Sequence, residues 1–199
     1  MAEELGRRER KKLATRQALI AAAVRLFEER GYERTTVAEI AEAADVSTRT
    51  FFLHFPTKED VLLANAEVRV DLGLRAIARR RPGEAAAEVL AQAVAAMIAN
   101  VWSTDLPSGL AALRAGLVTS SPAVQARLLQ RLLAAHAELT EALREAYPQE
   151  LDETAAAALV GAVIGAVGAA GLAGLRRGDT SEQVRDAMAR AAGIALRPC

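Results

Sequence analysis

Residues 36–58, TVAEIAEAADVSTRTFFLHFPTK, constrain the fold more than any other stretch of this 199-residue chain. Thr36 followed by Glu39 is a capping box, in which each side chain satisfies backbone donors at a helix start. Val37, Ile40, Ala41 and Ala44 then follow the i, i+3, i+4, i+7 spacing of one buried helical face. Asp45-Val46-Ser47 interrupts it. Asp tolerates the left-handed backbone better than most residues, and Ser47 is a good N-cap for a second helix. In that helix Phe51 and Phe55 lie four apart on one side, while Thr48, Arg49, Phe52 and Leu53 occupy the other. Pro56 ends it, because the residue before proline avoids helical dihedrals. Thr57 starts a third helix, with Lys58 in its first turn and Asp60 three residues on. The spacing predicts helix, tight turn, helix.

Such a pair is either a generic helical hairpin or a DNA-reading helix-turn-helix. The second helix favours the latter. Thr48 and Arg49 at its start suit phosphates and base edges. Phe52 and Leu53 exposed together would serve apolar contact with sugars or thymine methyls; the alternative is that they pack on a neighbouring helix.

At these residues the chain resembles the tetracycline-repressor (TetR) family of bacterial transcription regulators. The matching run is Leu26–Leu62, LFEERGYERTTVAEIAEAADVSTRTFFLHFPTKEDVL. In order it has a helix ending in Gly31, the Thr35-Thr36 pair, Ile40-Ala41, Val46-Ser47, an aromatic-rich recognition helix, and Phe-Pro-x-Lys-Glu. The resemblance implies that Thr36 caps the second helix near a phosphate and Ser47 caps the recognition helix. Thr48, Arg49 and Thr50 would reach bases and backbone. Phe52 and His54 would sit at positions of backbone-touching aromatics, with Leu53 between them on the reading face, and Lys58 would meet a phosphate. Three residues depart from the family pattern. Asp45 stands where Gly is usual, Phe52 where Tyr is common, and Leu53 where a polar residue is frequent.

Charge does not announce a nucleic-acid partner, since Lys plus Arg and Asp plus Glu are each 25. Its distribution is more informative. Arg7, Arg8, Arg10, Lys11 and Lys12 form a basic run ahead of the motif. It reads as a flexible arm adding phosphate or minor-groove contacts, or as a solubilising tail. The lone cysteine, Cys199, excludes an intrachain disulfide and supports no zinc cluster. His54 and His136 are isolated, so no metal site is expected. The start lacks an apolar signal-peptide core, and cytoplasmic residence is expected.

The remainder reads as helix, giving an all-α chain of about nine helices, three then six. The first would run from about Arg10 to Arg30 and the fourth from Lys58 to about Arg80, where Pro82-Gly83 stops it. Others are expected near 84–102, 110–118, 121–148, 152–177 and 180–196, the last opened by a second capping box, Thr180 with Gln183. The division is a helix-turn-helix domain with its basic arm at 1–57 and a helical effector-binding and dimerisation domain at 58–199. Residues 155–175 are uncharged and long enough to span a bilayer. Their Ala/Gly content makes transfer into lipid weak; the preferred reading is a helix buried on nearly all sides, with no membrane partner.

The resemblance implies a homodimer built on the last two helices. Gly161, Gly165, Ala169 and Ala173 are candidates for its contact stripe, or for packing inside one subunit. The resemblance also implies a small-molecule effector pocket. Candidate lining residues are Met97, Val101, Trp102, Leu113, Arg114, Leu117, Leu128 and Leu132, each equally explicable as core. The stretch Leu113–Val124 faintly resembles regulators of acyl-CoA-like ligands. An enzyme would need a nucleophile with a base, paired carboxylates, a metal cluster or a phosphate loop. The chain has no G-x-G-x-x-G, P-loop or H-x-x-x-H, and no catalytic residue or cofactor is assigned. The implied function is a repressor on a double-stranded, inverted-repeat operator, released by its effector. A helical architectural or adaptor protein is the alternative.

Overall fold

Helical periodicity carries through the whole chain: among the described residues the regular structure is ten α-helices and one π-helical turn, without a strand. The computed structural model describes residues 2–197, and for 2–5 and 7 the backbone alone. Cys199 and the Arg7 side chain lie outside the described residues. The helices are α1 (Ala2–Arg30), α2 (Val37–Ala43), α3 (Thr48–His54), α4 (Glu59–Leu62), α5 (Ala66–Ala78), α6 (Ala86–Asn100), α7 (Leu110–Ser120), α8 (Pro122–Ala146), α9 (Glu153–Arg177) and α10 (Ser181–Ala195). The π-helical turn Val101–Asp105 extends α6.

Two expectations are corrected. The basic run does not precede the first helix but lies within it, since α1 begins at Ala2. Arg, Lys, Glu, Leu and Ala there are all good helix formers. The predicted helix over 58–80 is two helices, broken at Leu63–Asn65. Nothing local demands the break; distant groups stabilise it. Arg16 of α1 donates to the freed Ala64 carbonyl. Arg114 of α7 donates to the Leu62 carbonyl at 3.1 Å.

Packing divides the chain otherwise than a cut at residue 57. One unit is Met1–Ala64 with Leu106–Arg127; the other is Asn65–Asp105 with Leu128–Cys199. In the first unit, Leu19, Ala23 and Phe27 of α1 meet Ile40 and Ala41 of α2, Phe51, Phe55, Val61, Leu62, Leu110 and Val124. The helix-turn-helix therefore shares its core with α7 and the first turns of α8. Asp60, buried, joins α4 to Arg127 through two hydrogen bonds of 2.8 and 2.9 Å. It also accepts from the Thr57 backbone and hydroxyl, at 3.1 and 3.0 Å.

The second unit centres on Ile77, Val89, Leu90, Ala93, Leu139, Leu143, Val160 and Val163. Gly73 lets α5 approach closely, because a Cβ there would lie 2.9 Å from Met97 Sδ and 3.1 Å from Leu139 Cδ2. Asp152 caps α9 through the Ala155 N–H at 2.7 Å, and Gly178 ends it in the left-handed conformation. By length and composition α9 and the stretch Ala86–Asp105 could each cross a bilayer. In the folded unit α9 lays one face inward, through Ala156, Val160, Val163, Gly171 and Gly174. Burial on nearly all sides is thus not met within one chain: Ala158, Ala162, Gly165, Ala169 and Ala173 are exposed.

Candidate nucleic-acid interface

The helix-turn-helix is built by local chemistry. At the start of α2 the Glu39 N–H donates to Thr36 Oγ1 at 3.3 Å, and the Thr36 N–H donates to Glu39 Oε2 at 2.8 Å. The Thr36 hydroxyl also donates to that carboxylate, at 2.8 Å. At the other end Asp45 takes φ +54°. Its N–H donates to the Glu42 carbonyl and that of Val46 to the Ala41 carbonyl, each at 3.0 Å. That pair is the Schellman closure, whose left-handed residue is ordinarily glycine. Asp45 therefore fills the glycine's conformational role at a cost of roughly 1–2 kcal/mol.

Ser47 then caps α3, accepting the Thr50 N–H at 3.1 Å, and shares a hydroxyl hydrogen bond of 2.9 Å with Thr50. This leaves Thr50 half-buried and occupied in the cap. Phe51 and Phe55 are buried in the core, while Thr48, Arg49, Phe52 and Leu53 are exposed. The predicted division of α3 into a buried and an exposed face is present, and Leu53 does not pack on a neighbouring helix.

Arg16, which the motif does not include, holds the far end of α3. One Nη donates to the His54 carbonyl at 3.0 Å, the other to that of Ala64, and the guanidinium lies 4.3 Å from the Phe55 ring centroid. Its sequence signal is an arginine on the apolar side of α1, three and four residues before Leu19 and Ile20. Lys58 is similarly engaged. Its Nζ donates to the carbonyls of Tyr32 and Thr35 at 2.9 and 3.1 Å and sits 4.0 Å from the Tyr32 ring centroid. Tyr32 donates to Glu59, and burial followed by that neighbour pushes its hydroxyl pKa far up. Lys58 is thus a staple between the start of α4 and the loop before α2.

Burial, then the positive charges of Arg16 and Lys12, hold the His54 imidazole below its ordinary pKa. Lys12, from the basic run on α1, is therefore an electrostatic neighbour of the recognition helix. The consequence has a sign. With the folded pKa depressed, neutral His54 contributes stability that is complete above the unfolded value of about 6.5 and is lost as pH falls through the folded value. Urea midpoints measured at pH 7.5 and 5.5 should fall further in the wild type than in His54→Gln. Equal falls would remove this role.

The other candidate residues separate. Leu113 and Leu117 pack against the core of the first unit, where Arg114 binds the Leu62 carbonyl. Met97, Val101, Trp102 and Leu128 are half-buried in the second unit, and Leu132 is 42 % exposed there. In that unit Trp102 Nε1, Asn100 Oδ1 and Thr140 Oγ1 are buried without a hydrogen-bond partner. Of the α9 stripe, Gly161 faces inward: a Cβ there would meet His136 Nε2 at 3.3 Å. Gly165 has open space beside it, and Ala169 and Ala173 are exposed.

Residues 19–64 match the family model described as bacterial regulatory proteins, tetR family. The HTH-type transcriptional regulator TcmR of Streptomyces glaucescens is 38% identical over 129 residues, which are 63% of this chain and 57% of TcmR. The chain thus spans little more than half the length of that relative. Among solved structures, the fatty acid degradation regulator FadR of Bacillus halodurans superposes with a TM-score of 0.58 at 21% identity, over 92% of this chain and 94% of that one. FadR of Thermus thermophilus, a TetR-family repressor in complex with lauroyl-CoA, gives 0.56 at 22% identity over 92% and 97%. At these identities the two structures establish a shared fold.

Proposed function

Because residues 19–64 match the family model of tetR-type bacterial regulatory proteins and TcmR is 38% identical over 129 residues, we propose that the chain is a homodimeric transcriptional repressor that binds an inverted-repeat operator and leaves it when a small molecule binds. The carrying observation is α3 itself. A buried Phe51/Phe55 face and the Arg16 clamp hold the helix, and they turn Thr48, Arg49, Phe52 and Leu53 outward. A recognition helix presents its first residues to base edges, while neighbouring cations position the backbone. Lys12, Arg16 and Lys58 supply positive charge around it.

The exposed small residues of α9, from Gly165 through Ala173, and exposed Ile194 of α10 support a dimer surface. A twofold dimer asks for a palindromic site. For the effector we propose an acyl-CoA-like molecule held in the second unit, near Met97, Val101, Trp102 and Leu128. The unpartnered polar atoms of Asn100, Trp102 and Thr140 support a polar ligand contact there. An effector that prefers one conformation of the dimer releases DNA by that difference in affinity. The setting is the bacterial cytoplasm, with DNA rather than a membrane as partner and no catalysis.

Mobility shift with the DNA upstream of the protein's own gene tests this reading. Arg49→Ala should cost about 1–3 kcal/mol, a loss of about 5- to 150-fold, and relax preference at one base pair. Lys58→Ala should weaken all sequences alike and also lower stability, since it removes the Tyr32 and Thr35 contacts. Equal affinity for random DNA at physiological salt would sink the repressor reading. Acyl-CoA should release the wild-type complex; failure across chain lengths would remove that effector class alone.

A further inference from the structure

We infer that Leu53 is a specificity-determining residue that reads a thymine through its C5-methyl group. The inference rests on the DNA-binding reading above and adds to it which base the apolar part of α3 selects.

Leu53 is 75 % exposed, more than any other exposed large apolar side chain described. Its neighbours have assigned tasks. Phe51 is core, Thr50 completes the Ser47 cap, and the His54 carbonyl takes Arg16. Phe52 is 53 % exposed and its ring lies edge-on to Phe51 at 5.6 Å. Leu53 has no such role in holding α3 together.

Helical spacing then sets its reach. Residues four apart share a ridge, so α3 presents one ridge of Thr48 and Phe52 and a second of Arg49 and Leu53. Arg49 is exposed one turn before Leu53, so a base contacted by arginine and a base contacted by leucine lie beside one another in the groove. Arginine suits the O6 and N7 acceptors of guanine. Leucine carries neither donor nor acceptor. On the major-groove edges of the four base pairs the complementary apolar group is the thymine methyl. The wall of the groove is sugar and phosphate, which carries no such sequence distinction.

The test replaces each operator thymine in turn by deoxyuridine, which removes the methyl and leaves base pairing intact. Binding is read by fluorescence anisotropy with the full-length dimer. One thymine per half-site should show a loss of about fourfold for the wild type, the worth of one buried carbon, and about fifteenfold when both half-sites carry uracil. Leu53→Ala should bind thymine and uracil operators alike, and Leu53→Met should restore part of the difference. Circular dichroism of Leu53→Ala should match the wild type, because the side chain is exposed.

Specific binding with no uracil effect at any position overturns the inference and leaves the repressor reading intact. A uracil penalty that persists in Leu53→Ala but vanishes in Phe52→Ala also overturns it, moving the contact to Phe52. Absence of sequence-specific binding by the wild type overturns both readings.

Discussion

Phe51→Ala should destabilise the first unit by about 3–5 kcal/mol and abolish binding to every DNA sequence. Phe51 is fully buried, with ring centroids 5.6 Å from Phe52 and 5.8 Å from Phe55. Truncation removes the side chain's burial and leaves a cavity beneath α3. The helix has seven residues, too short to persist without its tertiary contacts. With typical domains stable by about 5–15 kcal/mol, the loss takes a large share of what holds the reading face in place. Phe52→Ala is the matched control. Its ring is half outside the core, and its cost should be about 1 kcal/mol or less. Urea denaturation gives both values, and native-state hydrogen exchange at α3 amides locates the effect. A Phe51→Ala protein within about 1 kcal/mol of wild type would mean that this core does not anchor the recognition helix.

Asp105→Ala should cost the second unit about 3–5 kcal/mol as well, for an electrostatic reason. The carboxylate is 0 % exposed. It accepts from Asn65 Nδ2 at 2.6 Å, Arg69 Nη1 at 2.8 Å and Thr104 Oγ1 at 3.2 Å. The Arg69 side chain is itself only 13 % exposed. Removing the acid strips a mostly buried cation of a close counter-charge and leaves the Asn65 amide N–H without this acceptor. Asp105 is also the last residue of the π-helical turn. One extra residue in a turn rotates the downstream chain by about 100°. Thr104 and Ser103 hydroxyls meet the Asn100 carbonyl there, at 2.7 and 3.2 Å. Asp105→Asn, which keeps shape and two acceptor lone pairs, should lose less. The double change Arg69→Met with Asp105→Leu should recover part of the loss, because it removes both charges of this ion pair together. Denaturation of the three variants separates the cases. A double variant as unstable as Asp105→Ala would mean that packing, not charge, sets the effect.

The helix-turn-helix was legible because its signals are local. A Thr with Glu three residues on, a Ser before Thr-Arg-Thr, and two phenylalanines four apart each act over one turn, and each sits where the spacing put it. The same holds at Thr180 with Gln183. Asp45 was legible as a turn, and the fold adds that it occupies the one left-handed position described for a residue other than glycine.

Where distant side chains settle the outcome, local reading stopped. Residues 58–80 contain no proline to break a helix, so one helix was expected. The break exists because Arg16 and Arg114, from α1 and α7, bind the carbonyls it frees. Leu113 and Leu117 are equally explicable from the sequence as pocket or core, and they pack against the core of the first unit. Gly161 and Gly165 have the same spacing and chemistry in the sequence, but His136 lies beside one and open space beside the other.

Most of the helices, their caps, and the face of α3 apolar enough to be buried follow from the amino-acid sequence alone, since hydrogen bonding and periodicity act within a few residues. The remaining features needed the folded chain. It left Leu53 bare, engaged Lys58 with two carbonyls, and made Arg16 a clamp. It also drew α7 into the same core as the helix-turn-helix. Those outcomes turn on burial and on partners tens of residues away, which no local pattern encodes.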